Sequence, residues 1–166
     1  MKPRLDIMHA PPGVLKTMMG FEAHLAHSTL PRKLLDLVYL RASQINGCAY
    51  CIDMHTKDLR AAGETEQRLY LLDAWRESPM YDDRERAALA WTEAVTRVTD
   101  GHVPDEVFEQ AHGQFSEAEL ADLTLAAVAI NSWNRLNIAF RTVPGSYQPA
   151  AHKTATADGN QARSAV

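Results

Sequence analysis

The chain has 166 residues, of which 46% are hydrophobic and 23% charged, enough apolar content for one globular domain and too much for a fibrous or disordered protein. Seventeen Lys and Arg against twenty-one Asp and Glu give a formal charge of −4, and no run of like charge tracks a phosphate backbone or an anionic membrane surface. Nucleic acid and membrane are therefore not expected partners. No stretch reaches the roughly 18 apolar residues of a membrane span, and Met1 to Asp6 lacks the charged-then-apolar pattern of a secretory signal, so a cytoplasmic location is expected.

Period-2 apolar alternation is missing over any useful length, whereas helix punctuation recurs. The fold is predicted to be all-α, a bundle of about six to seven helices. A first helix starts at Pro12 and runs to about His27, with Val14, Met18, Phe21 and Leu25 on one face. A second spans Arg32 to Ile45 and is closed by Asn46-Gly47, residues that tolerate a left-handed cap. A third starts at the cysteines and continues to Ala62, before Gly63. Thr65 caps a helix reaching Trp75, and Ser78-Pro79 breaks it. Asp82 or Asp83 opens the next, with Leu89, Ala90, Ala94 and Val98 apolar, and Pro104 begins a short helix through Ala111. Ser116 and Glu119 form a capping box ahead of a helix from about Glu117 to Phe140. That helix is apolar nearly all round and is expected at the centre of the bundle. Residues 1–143 thus form one helical domain. Residues 144–166, rich in Ala, Ser, Thr, Gln and Gly, are expected to be a flexible tail.

The two cysteines stand at Cys48 and Cys51, a spacing that random placement yields only about 1% of the time. The segment Gly47-Cys48-Ala49-Tyr50-Cys51-Ile52-Asp53-Met54-His55 reads C-x-x-C-x-x-x-H. A helix beginning at a Gly47 hinge places both sulfurs in its first turn, near free N–H groups and the positive end of the dipole, which lowers a thiol pKa. Residues three apart on a helix are neighbours, so the two sulfurs can close and reopen a disulfide and so pass on two electrons. His55 follows Cys51 by four residues on the same face, where an imidazole takes a thiol proton or hands one to a leaving oxygen.

In an antiparallel hairpin, Asp36 lies ten residues before Asn46 and His55 eight after Gly47, about 15 Å and about 12 Å from the turn. At nearly the same height, Asp36 would orient His55 and complete a chain Asp36, His55, Cys51 that follows triad logic. The alternatives are plainer. Half a zinc site lacks the two further ligands a structural zinc needs, so no metal is expected. Two buried structural cysteines and a solvated helix carboxylate at Asp36 are the others. Tyr50 shields the pair, His24, His27, His102 and His112 have no partner by spacing, and Asn131, Trp133, Asn134, Arg135 and Asn137 form a polar cluster read as a buried network or a subunit contact in preference to a direct catalytic role. Arg135 there is expected to meet a carboxylate or a backbone end.

The stretch Leu34 to Gly63, with Leu-Arg-Ala-Ser-Gln-Ile-Asn-Gly-Cys-Ala-Tyr-Cys-Ile-Asp-Met-His at its centre, resembles the core of the AhpD-like alkylhydroperoxidases within the carboxymuconolactone decarboxylase superfamily. The later Asn-Ser-Trp-Asn-Arg-Leu-Asn is similar to that family's closing helix, so the resemblance covers roughly residues 10 to 142. It implies an all-helical oligomer, commonly a trimer or hexamer, with dithiol peroxidase activity toward hydroperoxides. It implies further that Cys51 is the peroxidatic cysteine, Cys48 the resolving one and His55 the proton-relay histidine. The family's glutamate twelve residues before the first cysteine falls on Asp36, one methylene shorter, and Tyr50 stands where some members carry a second histidine. No bound cofactor is implied; electrons would come from an external dithiol or a lipoyl-bearing protein.

The helix dipole alone favours Cys48 as the more acidic thiol. Cys51 is preferred because only it has His55 at i+4, and a base in reach outweighs a partial charge of about half an electron. Two other functions compete: decarboxylation of a γ-carboxymuconolactone-like substrate, whose enzymes typically lack the cysteine pair, and a non-catalytic thiol redox sensor. The apolar helices exceed what one small bundle buries, which also points to a homo-oligomer.

Overall fold

The computed structural model describes residues 2–9 and 11–149. They form seven helices, α1 (Pro12–Leu25), α2 (Arg32–Asn46), α3 (Ala49–Ala61), α4 (Glu66–Leu71), α5 (Asp83–Thr96), α6 (Asp105–His112) and α7 (Glu117–Phe140), with single 3-10 turns at Ile7–His9 and Leu72–Ala74. No strand occurs among the described residues. The expected all-α class and most boundaries hold. The differences are local: α1 stops at Leu25 instead of His27, and the helix expected to reach Trp75 tightens into the 3-10 turn after Leu71.

The boundaries follow from identifiable caps. Cys48 itself is the N-cap of α3, its sulfur accepting the Cys51 backbone N–H at 3.4 Å. Thr65 accepts from Arg68 N at 3.3 Å, and Asp82/Glu85 and Ser116/Glu119 close reciprocal capping boxes on α5 and α7. Gly47 ends α2 at φ 68°, ψ 32°, and the Cys48 N–H returns to the Ser43 carbonyl at 3.0 Å. That left-handed residue reverses the chain in one step, so α2 and α3 form the expected hairpin.

The helix sheathed on every side is α2, where each residue from Leu34 to Ser43 is buried. It packs against α3, α5 and α7. The expectation that α7 holds the centre is thereby corrected. Although α7 touches α1, α2, α3, α5 and α6, its Val128, Arg135 and Ile138 are exposed. Charge does not bar α2 from the interior, because its Arg41 is paired there. Arg41 Nε meets Glu93 Oε1 of α5 at 2.7 Å, and the same oxygen accepts Trp75 Nε1 at 2.8 Å. Apolar burial lies on both sides of α2. Leu35, Val38 and Ala42 face a cluster with Leu123 and Ala126, while Leu37 and Leu40 join Leu59, Leu72 and Leu89. Each such fully buried leucine contributes about 1.5–3 kcal/mol.

Both chain ends fold back onto this frame. Arg4 N donates to the Phe140 carbonyl at 2.8 Å, which seats the first 3-10 turn beside the end of α7. The expected tail begins on α3: Gly145 N donates to Asp53 Oδ2 at 3.0 Å, Lys57 Nζ reaches the Gly145 and Tyr147 carbonyls, and Tyr147 OH donates to Asp58 Oδ1 at 2.7 Å. The rest of it, residues 150–166, lies outside the described residues.

Candidate active site

Cys48 and Cys51 are joined by a disulfide across the first turn of α3. Both are buried, but only Cys51 opens on a cavity of about 670 Å³. Helices α1, α2, α3 and α7 supply most of its walls, with Met19, Tyr50, Met54, Ile130 and Trp133 among the apolar surfaces. Val143 and Tyr147 of the C-terminal segment and Ile7 of the N-terminal turn complete it. Tyr50 is one wall of the cavity on which Cys51 opens.

His55 shares this cavity one turn along α3, and it is buried with no hydrogen-bond partner on either ring nitrogen. Burial, reinforced by the positive charge of Arg32, pushes its pKa down to about 3. The ring is neutral at ordinary pH and has a lone pair free, which is the state a general base needs. Beside it stands Tyr39, with ring centroids 5.2 Å apart. The Tyr39 hydroxyl is likewise buried and unpartnered, and burial drives its pKa upward. Two neighbouring residues of the cavity wall thus carry three buried polar atoms without protein partners, a pattern expected where a small polar group is to be held.

Asp36 is not hydrogen-bonded to His55. Its Oδ1 lies 2.9 Å from Arg32 Nη2, one turn back on α2, and the guanidinium sits 5.9 Å from the centre of the Tyr39 ring. The hairpin register explains the outcome. Tyr39 is seven residues before Asn46 and faces His55, eight after Gly47; Asp36 stands one turn further out, near Asp58, eleven after Gly47. Burial raises the Asp36 pKa, the Arg32 pair opposes it, and the Asp58 charge adds to the rise.

The polar cluster of α7 resolves into two parts. Asn46 Nδ2 donates to Asn131 Oδ1 at 2.9 Å and Asn134 Oδ1 at 2.8 Å, while Asn134 Nδ2 donates to Ser43 Oγ at 3.0 Å. This buried network fixes the end of α2, and hence the hinge before the cysteines, against α7. Asn137 belongs instead to the site: its Nδ2 lies 3.6 Å from Cys51 Sγ. Trp133 is a cavity wall whose Nε1 donates to Glu22 Oε1 at 3.1 Å. Arg135 is exposed and meets the Asn131 carbonyl at 2.8 Å, a backbone partner without a carboxylate. Of the histidines without a partner by spacing, His24 pairs with Asp122 at 2.8 Å and His112 stacks on Phe108.

Sequence spacing missed Arg32 and Tyr39, and it left Asn137 in the α7 cluster without linking it to Cys51. Arg32 and Tyr39 carried a weak signal, since they stand at i−4 and i+3 from Asp36 on one face of α2. Asn137 is 86 residues from Cys51 and carried only the repetition of asparagine along α7. No group of three or more His, Cys, Asp or Glu side chains placed to hold a metal occurs among the described residues, nor is any helix there long and apolar enough to cross a membrane.

Residues 12–94 match the carboxymuconolactone decarboxylase family. An uncharacterized protein of Bacillus subtilis, YdfG, is 42% identical over 139 residues, covering 84% of this chain and 95% of that one. A crystal structure from Agrobacterium tumefaciens, of a protein of unknown function, ATU0492, described as a putative antioxidant defence protein AhpD, is 42% identical with a TM-score of 0.82. The match covers 90% of this chain and 99% of that one. An uncharacterized peroxidase-related protein from Silicibacter sp. TM1040 shares the fold at 21% identity and a TM-score of 0.73, over 82% of this chain and 72% of that one. With the paired cysteines at the head of α3, these matches place the chain in the carboxymuconolactone decarboxylase family, as an AhpD-like member.

Proposed function

We propose that this protein is a dithiol peroxidase that reduces organic hydroperoxides through a Cys48–Cys51 thiol/disulfide cycle. The observation that carries the reading is that, of two cysteines able to form a disulfide, only Cys51 opens on the large apolar cavity, and it does so beside a neutral, unpartnered His55. The Cys51 thiolate attacks the outer oxygen of ROOH. The O–O bond breaks, a proton reaches the leaving oxygen to give ROH, and Cys51 becomes a sulfenic acid. The Cys48 thiol then displaces water from that sulfur to form the disulfide. An external dithiol, free or lipoyl-bearing, supplies two electrons and two protons to restore both thiols.

The neutral His55 imidazole takes the Cys51 thiol proton, and the imidazolium so formed returns it to the leaving oxygen. Asp36 acts at one remove by neutralising Arg32 over the Tyr39 ring. A cavity of about 670 Å³ falls within the range of sites for bulky organic ligands, which favours organic hydroperoxides over hydrogen peroxide. Reduction by a dithiol fits a cytoplasmic setting. The exposed Val14, Val128 and Ile138 on α1 and α7 support assembly of a homo-oligomer, a trimer or hexamer by the family resemblance.

Steady-state consumption of tert-butyl hydroperoxide with excess dithiol tests the reading. Many turnovers per site are expected from the native protein and none above background from Cys51→Ser. A single turnover per site would mean a redox sensor instead, and activity that survives Cys51→Ser would refute the peroxidase assignment.

A further inference from the structure

Asn137 lies in the last turn of α7, where it is buried and lines the cavity. Its Nδ2 is 2.9 Å from the Trp133 carbonyl oxygen, one turn back on the same helix, and 3.6 Å from Cys51 Sγ. A carbonyl only accepts hydrogen bonds, so the amide must turn its nitrogen toward Trp133. That choice fixes which way the side chain points and leaves the second N–H directed at the Cys51 sulfur.

Asn137 makes the only hydrogen bond to Cys51 Sγ found among the described residues; the unpartnered Tyr39 hydroxyl of the same cavity makes none, and the other groups that could stabilise charge there are engaged elsewhere or neutral. The Cys51 backbone N–H at the head of α3 donates to Cys48 Sγ, so this part of the helix N-terminus serves the partner sulfur. His55 is held neutral by burial and by Arg32, so it carries no standing positive charge before it takes the Cys51 proton. Arg32 itself is paired with Asp36.

We propose that Asn137 is a catalytic residue: its Nδ2–H stabilises negative charge on Cys51 Sγ, and so makes Cys51 rather than Cys48 the attacking thiolate. The proposal rests on the peroxidase reading for the word catalytic, but its physical content is a property of the thiol alone. A hydrogen bond to a charged acceptor is stronger than one to a neutral acceptor, so losing this donor should raise the Cys51 thiol pKa by about one pH unit. A more basic thiolate is also intrinsically more nucleophilic. Removing the donor should therefore slow Cys51 only at pH values where the thiolate fraction limits the rate, and leave it unchanged or faster where both proteins are fully ionised. A packing role would slow it, or loosen it, at every pH.

The test measures alkylation of Cys51 by iodoacetamide as a function of pH in a Cys48→Ser background, with and without Asn137→Leu or Asn137→Asp. No peroxide is involved, so its result is separate from that of the turnover assay. We expect a Cys51 midpoint below the ordinary thiol value of about 8.5, and below the midpoint of Cys48 measured in Cys51→Ser. Asn137→Leu should move the Cys51 midpoint up by about one unit, with alkylation about three- to fourfold slower below both midpoints and up to about threefold faster above them. Asn137→Asp, which replaces the donor by an anion of the same shape, should shift it at least as far. A Cys51 midpoint at or above 8.5 in the Cys48→Ser protein alone would overturn the proposal even if no Asn137 variant folds. So would variants that fold and leave the midpoint where it was.

Discussion

At the scale of single residues, the site is governed by what burial does to His55. An exposed imidazole is half-charged near pH 6.5, whereas this one is pushed down to about 3 by desolvation and by Arg32. Between these values the unfolded chain binds a proton at His55 that the folded chain refuses. Stability must then fall as pH falls through that window, with a slope of up to one proton, about 1.4 kcal/mol per pH unit. Asp36 acts in the opposite direction, because burial raises its folded pKa and the folded state takes up its proton first on acidification. Comparing the native protein with His55→Leu cancels the Asp36 contribution, since both retain it. Urea unfolding at pH 7 and pH 5 should show the native protein losing more stability than His55→Leu between the two. Equal losses would mean that His55 titrates in the folded protein as it does in the unfolded chain, and the account of its neutrality by burial would fall with that result.

Among elements, the α2–α3 hairpin decides the geometry, and Gly47 decides the hairpin. Its φ of 68° is left-handed, and an added Cβ would meet nothing within 4 Å, so substitution there is opposed by backbone conformation alone. Gly47→Ala should cost about 1 kcal/mol, lowering Tm by about 2–4 °C, and Gly47→Asn should cost less, because asparagine visits the left-handed region more readily. Thermal unfolding of both variants checks the order; an alanine as stable as the native glycine would contradict the left-handed cap. This element was legible in the sequence for a local reason. Asn46-Gly47, the C-x-x-C spacing and His55 at i+4 all act within one or two turns of a helix, where 3.6-residue periodicity gives positions directly. The same arithmetic carried across the hinge placed Asp36 level with His55 and was one turn out, because Tyr39 takes that height in the packed pair. Asn137 was beyond such arithmetic altogether. Its approach to Cys51 depends on where α7 crosses α3, and that crossing is set by side chains of the whole core. The docking of residues 145–147 on α3 was hidden for a related reason: a polar, small-residue segment has little apolar pattern, and what holds it is hydrogen bonding to Asp53, Lys57 and Asp58.

The whole molecule keeps its charges inside by pairing them, and this sets where it is most vulnerable. Arg41 of α2 and Glu93 of α5 are both buried. Glu93 Oε1 accepts from Arg41 and from Trp75, Oε2 meets Arg76, and Arg41 Nη1 also reaches Gln44 and Asp73. Burial alone would raise the Glu93 pKa, but the hydrogen bonds from Trp75, Arg76 and Arg41 outweigh it and hold the carboxyl below the ordinary glutamate range. Its contribution to stability is therefore present above that range and is lost as pH falls through the lowered value. Removing one member of a buried pair strands the other, at a cost of about 3–5 kcal/mol, whereas replacing both with apolar groups of similar volume is often nearly neutral. Glu93→Leu should accordingly lower Tm by about 6–20 °C, and adding Arg41→Met should recover most of that loss. The diagnostic quantity is the coupling in this double-variant cycle, which should exceed about 1 kcal/mol and favour the double variant. Because α2 is the helix that the rest of the bundle surrounds, the same cycle reports on the site. The single variant should loosen the seat of the Cys48–Cys51 turn and speed its reduction by dithiol, and the double variant should return that rate toward the native value. Additive losses with no recovery would show that Arg41 and Glu93 act separately, each with solvent access enough to stand alone.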